Sequence, residues 1–262
     1  MEEKEEEKKE KKNWYKKREE HWASVEPNLA SVLGDEKIQL PDVKCSCELL
    51  NGLILSKQLN PISCLDCAAG IGRVTEYVLS NFFKEIDLFE KDKAFLEKCK
   101  KKFIGNDKIK NIYESSLENF QFKRKYDLIW IQWCLENLED DDLRPFLKKC
   151  FENLNDDGII IIKENLYNID ENEEDEIDEK KKEDEKKEIK KEDNKREIKK
   201  EDDKNNYEYK YSEADYSKQR PDVFYINLFL ECNFKIKLHF LNPNWPESMM
   251  PLCVYVLTKN KS

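Results

Sequence analysis

The stretch Leu65-Asp66-Cys67-Ala68-Ala69-Gly70-Ile71-Gly72-Arg73, answered downstream by Glu90 and by Ile129-Trp130-Ile131-Gln132-Trp133, decides the fold. Residues 62–69 read as a buried strand and residues 73–81 as the helix after it, with the glycines at the turn between them. Glycine permits a sharp turn and a close approach to a ligand because no Cβ intervenes. The first N–H groups of the helix, and the positive end of its dipole, then face whatever binds there. Glu90 ends the next apolar stretch, Ile86-Asp87-Leu88-Phe89. A carboxylate at the C-terminal end of a second strand is placed to accept hydrogen bonds from both hydroxyls of a ribose. The expectation is an adenosine-bearing ligand.

Its chemistry follows from what the turn lacks. A dinucleotide fingerprint needs a third glycine for close helix–strand packing against a pyrophosphate, but Gly70-Ile71-Gly72 is followed by Arg73, Val74 and Thr75. Asp66, four residues before Gly70 and separated from it by the small Ala68 and Ala69, resembles instead the first motif of S-adenosylmethionine (SAM)-dependent methyltransferases. That cofactor has no phosphate. Its methionine part carries a carboxylate, which Arg73 can grip through charge-assisted hydrogen bonds.

Working outward, strands alternate with helices, the pattern of a doubly wound sheet. Residues 92–103 read as a helix with Phe95, Leu96, Cys99 and Phe103 on one face, followed by a strand at 109–114. Residues 126–133 are nearly all apolar, as a central strand covered on both faces requires. A helix at 139–153 with an acidic start, a turn at 156–158, a strand at 159–162 and a helix at 215–232 come next. A terminal strand pair at 234–241 and 252–258 brings the number of expected strands to seven. The N-terminal residues 13–56 stand apart as a helical lid, with Trp14, Tyr15 and Trp22 ahead of Pro27 and an amphipathic helix at 47–55.

The 262 residues suit one α/β domain with additions, and the formal net charge of −10 is concentrated in one place. Residues 170–204 hold 18 acidic and 12 basic side chains; the rest of the chain holds 39 and 35, a net of −4. Such a stretch has too few apolar groups to offset its ordering entropy, so 168–206 reads as a disordered or fluctuating helical insertion, and 1–12 as a charged disordered tail. The domain proper is then 57–167 with 207–262. No basic stripe suggests nucleic acid as a partner, and no run approaches the ~18 apolar residues of a membrane span. The start Met1-Glu2-Glu3-Lys4 is unlike a secretory signal, and nine cysteines suggest free thiols in a reducing compartment, the cytoplasm and nucleus. Cys45, Cys47, Cys64 and Cys67 imitate zinc spacing, but Cys64 and Cys67 fall on one strand, three apart, and so point to opposite faces. Buried apolar thiols, rather than a metal site, are expected.

Leu65-Asp66-Cys67-x-Ala69-Gly70-Ile71-Gly72-Arg73, Ile129-Trp130-Ile131-Gln132-Trp133, Gly158 through Asn165, and Asp215-x-Ser217 with Arg220 together resemble the protein α-N-terminal methyltransferases. The resemblance runs from about Tyr15 to Leu257. It implies a Rossmann-like class I methyltransferase fold, a seven-stranded mixed sheet with helices on both faces. The implied activity is SAM-dependent methylation of the α-amino group of proteins beginning X-Pro-Lys or X-Pro-Arg after loss of the initiator methionine, by a monomer. For the cofactor, the resemblance implies that Ala68, Gly70 and Arg73 surround the methionine part, with Gln132 beside it. Glu90 would hold the ribose, and Leu117 and Glu118 would frame the adenine. For the substrate it implies aromatic channel walls at Trp22 and Trp133, with Leu33 and Gly34 beside the first residue. Asn165 would bond its backbone, and Asp215, with Ser217 two residues on, would receive the amine.

Three departures from the family pattern stand out. Asn137 occupies the position of a family histidine thought to act as a second base, Ala68 replaces a glycine, and Met250 falls where the family has a channel tyrosine. Asparagine orients an amine but takes no proton at physiological pH. Two other functions fit the same sequence: a small-molecule N-methyltransferase, and a catalytically weak peptide-binding member of the family.

Overall fold

The computed structural model describes residues 2–167, 207, 209–212 and 215–260. A long helix, α1 (Glu2–Ser24), opens the chain, followed by α2 (Leu29–Leu33), a 3-10 turn (Glu36–Ile38) and α3 (Gln39–Leu55). Residues 2–12, expected as a disordered tail, continue α1 as helix. Glu and Lys are good helix formers, and propensity prevails over the lack of an apolar face there. α3 begins eight residues ahead of the expected helix because Pro41 sits in its first turn, where a missing N–H costs nothing. The insertion expected at 168–206 lies outside the described residues.

The strands β1 (Ser63–Cys67), β2 (Glu85–Glu90), β3 (Ile109–Glu114), β4 (Tyr126–Gln132), β5 (Leu154–Asn165), β8 (Phe234–Leu241) and β9 (Leu252–Lys259) form one seven-stranded sheet in the order β3-β2-β1-β4-β5-β9-β8. β3 to β5 run parallel, and β9 inserts antiparallel between β5 and β8. The order reverses between β1 and β4, the switch point outside whose strand ends ligands bind in open α/β sheets.

After Gly72 the chain enters α4, a π-helical turn (Thr75–Leu79) continued by one α-helical turn (Ser80–Phe82). α5 (Lys93–Lys102) is capped by Asp92, whose carboxylate accepts from the N–H groups of Ala94 (2.9 Å) and Phe95 (3.2 Å). α6 (Asp140–Glu152) carries three acids in its first turn, favourable at the positive end of the dipole. The Ile159–Ile162 run is buried on both faces as expected. Ile160 and Ile162 join the core with α6 and the later helix α7 (Asp222–Glu231), whereas Ile159 and Ile161 join that with α3 and α4. Cys64 and Cys67 likewise enter opposite layers, and all nine cysteines are free thiols.

Two expected boundaries change. The turn at 156–158 is instead part of β5, at a register irregularity against β4. Residues 215–221 are not helical. Asp215 and Tyr216 form a turn, Ser217–Gln219 is the strand β7, paired with β6 (Lys210–Ser212), and the helix starts only at Asp222. Pro221 is the reason: it disfavours a helical conformation at the residue before it, and it is itself the extended N-cap (φ −71°, ψ 157°) from which the helix starts.

Candidate active site

At the switch point a cavity of about 430 Å³ opens between the sheet and the N-terminal helices. One side is the glycine turn. Gly70 has φ +57°, and a Cβ there would meet nothing closer than 3.9 Å. Gly72 (φ +77°) serves packing instead, since a Cβ would lie 2.5 Å from Phe103. Ala68 also adopts a left-handed backbone (φ +50°), which a side chain disfavours.

Glu90, at the end of β2, accepts hydrogen bonds from the backbone N–H groups of Gly70 (2.8 Å), Lys91 (2.6 Å) and Asp92 (2.8 Å). Burial raises its pKa and these three donors oppose that rise. The side chain therefore shapes the glycine turn as well as facing the cavity. Asp66, whose burial raises its carboxyl to about 6, accepts from Thr75 Oγ1 at 2.6 Å and ties β1 to α4.

Arg73 is almost fully buried on the cavity wall. Its Nη1 lies 2.7 Å from Asp42 Oδ2 and 3.0 Å from Gln39 Oε1, both on α3, and its guanidinium carbon sits 5.0 Å from the Trp133 ring. Asp42, itself buried, accepts from Gln132 Nε2 at 3.0 Å and pairs with the fully buried Lys163. Burial pushes the Asp42 carboxyl up, but Lys163 and then Arg73 outweigh it and hold the group below the usual range.

The opposite side is aromatic and polar. Trp133 adopts φ +53°, unusual for so large a residue and a form of strain that clusters at functional sites. Two buried atoms here lack a hydrogen-bond partner: the indole Nε1 of Trp133 and Oδ1 of Asn137. Both residues line the cavity, but these two atoms are themselves buried, so the wall holds one unpaired donor and one unpaired acceptor just beneath its surface. Behind them, Glu164 accepts from the N–H groups of Cys134 (3.0 Å) and Leu135 (2.9 Å), and burial raises its pKa and that of Glu136.

The lid closes over these walls. Trp22 of α1 enters the cavity with its ring 6.0 Å from Phe95. Arg18 donates to the carbonyl of Asn137 and stacks on Tyr15, whose hydroxyl bonds Asp142 and accepts from the Glu139 N–H. Desolvation, followed by the Asp142 hydrogen bond, raises the Tyr15 pKa.

Of the residues expected at the site, Ala68, Gly70, Arg73, Glu90, Leu117, Gln132, Trp133, Trp22 and Asn137 line this cavity. Val32 lines it in place of its neighbours Leu33, which is buried in the core, and Gly34, which caps α2 with φ +70°. Glu118 turns its carboxylate toward Arg18 and Lys91. Asn165, Asp215 and Ser217 are not among the walls. Ser217 Oγ donates to Asp215 Oδ1 at 2.9 Å, and the charge of Asp215 is felt at Glu136, beside Asn137. Sequence reasoning missed Asp42, Lys163 and Arg18. Lys163 carried a signal, because a charge at the end of a central strand needs a buried partner. Among the described residues no helix is long and apolar enough to cross a membrane. There, Asp222, His239 and Cys253 are grouped within metal-ligand reach of one another, but Tyr255 and His239 already engage Asp222.

Residues 10–208 match the family model described as AdoMet dependent proline di-methyltransferase. The chain is 40% identical over 159 residues to alpha N-terminal protein methyltransferase 1 of Dictyostelium discoideum, a match over 58% of this chain and 59% of that protein. It is 32% identical over 160 residues to N-terminal Xaa-Pro-Lys N-methyltransferase 1 of Danio rerio, over 59% of this chain and 71% of the relative. A solved SAM-dependent methyltransferase from Leishmania major superposes with a TM-score of 0.75 at 26% identity, over 94% of this chain and 83% of the other. A Rossmann-like sheet with its cavity at the β1/β4 switch point and a family match across most of the chain lead to one assignment: the chain belongs to the AdoMet dependent proline di-methyltransferase family.

Proposed function

We propose that this protein is an S-adenosylmethionine-dependent methyltransferase acting on the α-amino group of protein N-termini that begin X-Pro-Lys or X-Pro-Arg. The observation that carries the reading is that one cavity joins the Gly70–Arg73–Glu90 side to the Trp133–Asn137 side. The first suits a ribose and an amino acid carboxylate, the second a proline ring and an amine. The cofactor, when bound, supplies a methyl group on a sulfonium. The chain's own part is to hold the amine in line with it and to take up a proton.

Alignment contributes most, because oriented reactants avoid the entropy of a bimolecular encounter. Trp133 offers a flat wall for the second-position proline. Asn137, on the cavity wall with an unpartnered Oδ1, accepts an N–H of the incoming amine after a turn of its amide, and Asn165, outside the walls described above, reaches the first residue's backbone once substrate is bound. Asp215 receives the proton. An α-amino group has a reference pKa of roughly 7.7–8.0 against about 10.4 for lysine, so the neutral nucleophile is far more available at a terminus. The nine free thiols suit a reducing compartment, the cytoplasm and nucleus, with the protein acting as a monomer.

The test is selectivity. A Ser-Pro-Lys peptide should be methylated with a much higher kcat/KM than Ser-Ala-Lys, and a small-molecule amine should not compete. Equal rates on all three would establish a small-molecule enzyme. Peptide binding without turnover would establish a binding module.

A further inference from the structure

The fully buried Lys163 has no place in the chemistry above, yet it is built into the wall beneath Arg73. Its ammonium pairs with Asp42 Oδ1, lies 2.8 Å from Ser46 Oγ, and sits 5.9 Å from the Trp130 ring centre. Asp42 uses its other oxygen on Arg73 and also accepts from Gln132. Arg73, Lys163 and Asp42 expose at most 2% of their surface each. Burying three charges is costly, and the cost is recovered only when each is paired.

The pairing is incomplete by one charge. Two cations share one carboxylate, which leaves this trio with one uncompensated positive charge facing the cavity through Arg73. We propose that Lys163 is a positioning residue that, by neutralising Asp42, keeps the charge of Arg73 available for the carboxylate of the cofactor. The inference rests on Arg73 meeting that carboxylate in the bound state. Without Lys163, Asp42 would cancel Arg73, and an anion would meet a neutral pair. The amino acid part of the cofactor also carries an ammonium, for which Asp66, on the same cavity wall, is the available counter-charge. The carboxylate is thus left to the trio.

Charge arithmetic separates this role from simple support of α3. The measurement is calorimetric binding of S-adenosylhomocysteine and of its decarboxylated analogue, S-adenosyl-3-thiopropylamine, to the full chain. The wild type should prefer the carboxylate-bearing ligand by roughly ten- to a hundredfold, the worth of one charge-assisted contact. Lys163→Met should remove most of that preference while leaving the analogue's affinity within about threefold. The double variant Asp42→Asn with Lys163→Met restores the net charge of the trio and should restore the preference. Lys163→Gln, which keeps a donor for Asp42 and Ser46, supplies the same measurement should Lys163→Met not fold. Equal weakening of both ligands, or a double variant no more selective than Lys163→Met, would overturn the proposal. Arg73→Met reports on the underlying reading: its selectivity must vanish, and if it persists the carboxylate lies elsewhere.

Discussion

At the scale of the residue, the site is governed by where polar atoms find partners and where they do not. Asn137 Oδ1 and Trp133 Nε1 are buried without partners, whereas Glu90 satisfies three backbone donors. Ala68 shows the cost of a side chain in the left-handed region. Ala68→Gly should raise stability by up to about 1 kcal/mol, the relief of strain being partly offset by a more flexible unfolded chain. Chemical denaturation measures this directly, and a destabilised variant would mean that the methyl group packs productively. Asp66 makes a pH-dependent prediction. Its carboxyl rises from 3.8 to about 6 on folding, chiefly through burial. Its contribution to stability is therefore complete below pH 3.8 and lost as pH rises through 6. Asp66→Asn keeps an acceptor for Thr75 but no charge, so its melting temperature should gain on the wild type between pH 4 and 7. A constant difference across that range would show that the Asp66 environment is polar enough to hold the charge.

Among the elements, α1 and α3 close the cavity by different means. α1 is held by directed contacts, with Tyr15 between Asp142 and the Glu139 N–H and Arg18 on the Asn137 carbonyl. α3 is held by the buried Asp42 network. Tyr15→Phe leaves the Glu139 N–H without its partner and Asp142 with Lys11 alone (2.9 Å), a loss of about 1–3 kcal/mol. Hydrogen exchange in α1 should speed up correspondingly while the sheet keeps its protection; unchanged exchange would mean that Arg18 and the Lys11–Asp142 and Lys91–Glu19 pairs suffice. Much of this scale was legible in the sequence. The apolar runs at β1, β4 and β5 and the capped helix α5 declare themselves through burial and side-chain chemistry that act locally. The start of α7 did not, because Pro221, six residues after Asp215, overrides an otherwise helical pattern by a backbone clash rather than by hydrophobicity. The Asp42–Lys163 pair joins residues 121 apart, and no local pattern encodes a partner that far away.

For the whole molecule, one sheet places the ends of β1, β2 and β4 around a single cavity, and the N-terminal helices cover it. The glycine turn, Glu90 and the Trp133 run were readable as one site because strand ends converge at the switch point whatever the loops do. Asp215 lies just ahead of β7, the strand paired with β6, beyond the highly charged stretch. That stretch, 168–206, is poor in apolar side chains, so deleting it should move the melting temperature by no more than a few degrees; a loss of soluble expression would contradict this. Asp215 lies at a turn and not at a helix start, and its carboxylate accepts from Ser217 Oγ, so the proposed chemical role and a turn-stabilising one are separated by turnover. Asp215→Asn should lower turnover by about 10²-fold or more with cofactor affinity unchanged, as a general base predicts. The most direct measurement is tandem mass spectrometry of a Ser-Pro-Lys peptide after single-turnover reaction with S-adenosylmethionine, beside the same peptide acetylated at its terminus. The account predicts methyl groups on the α-nitrogen of serine, none on the lysine side chain and none on the acetylated peptide; methylation of the lysine side chain, or of the blocked peptide, would contradict it.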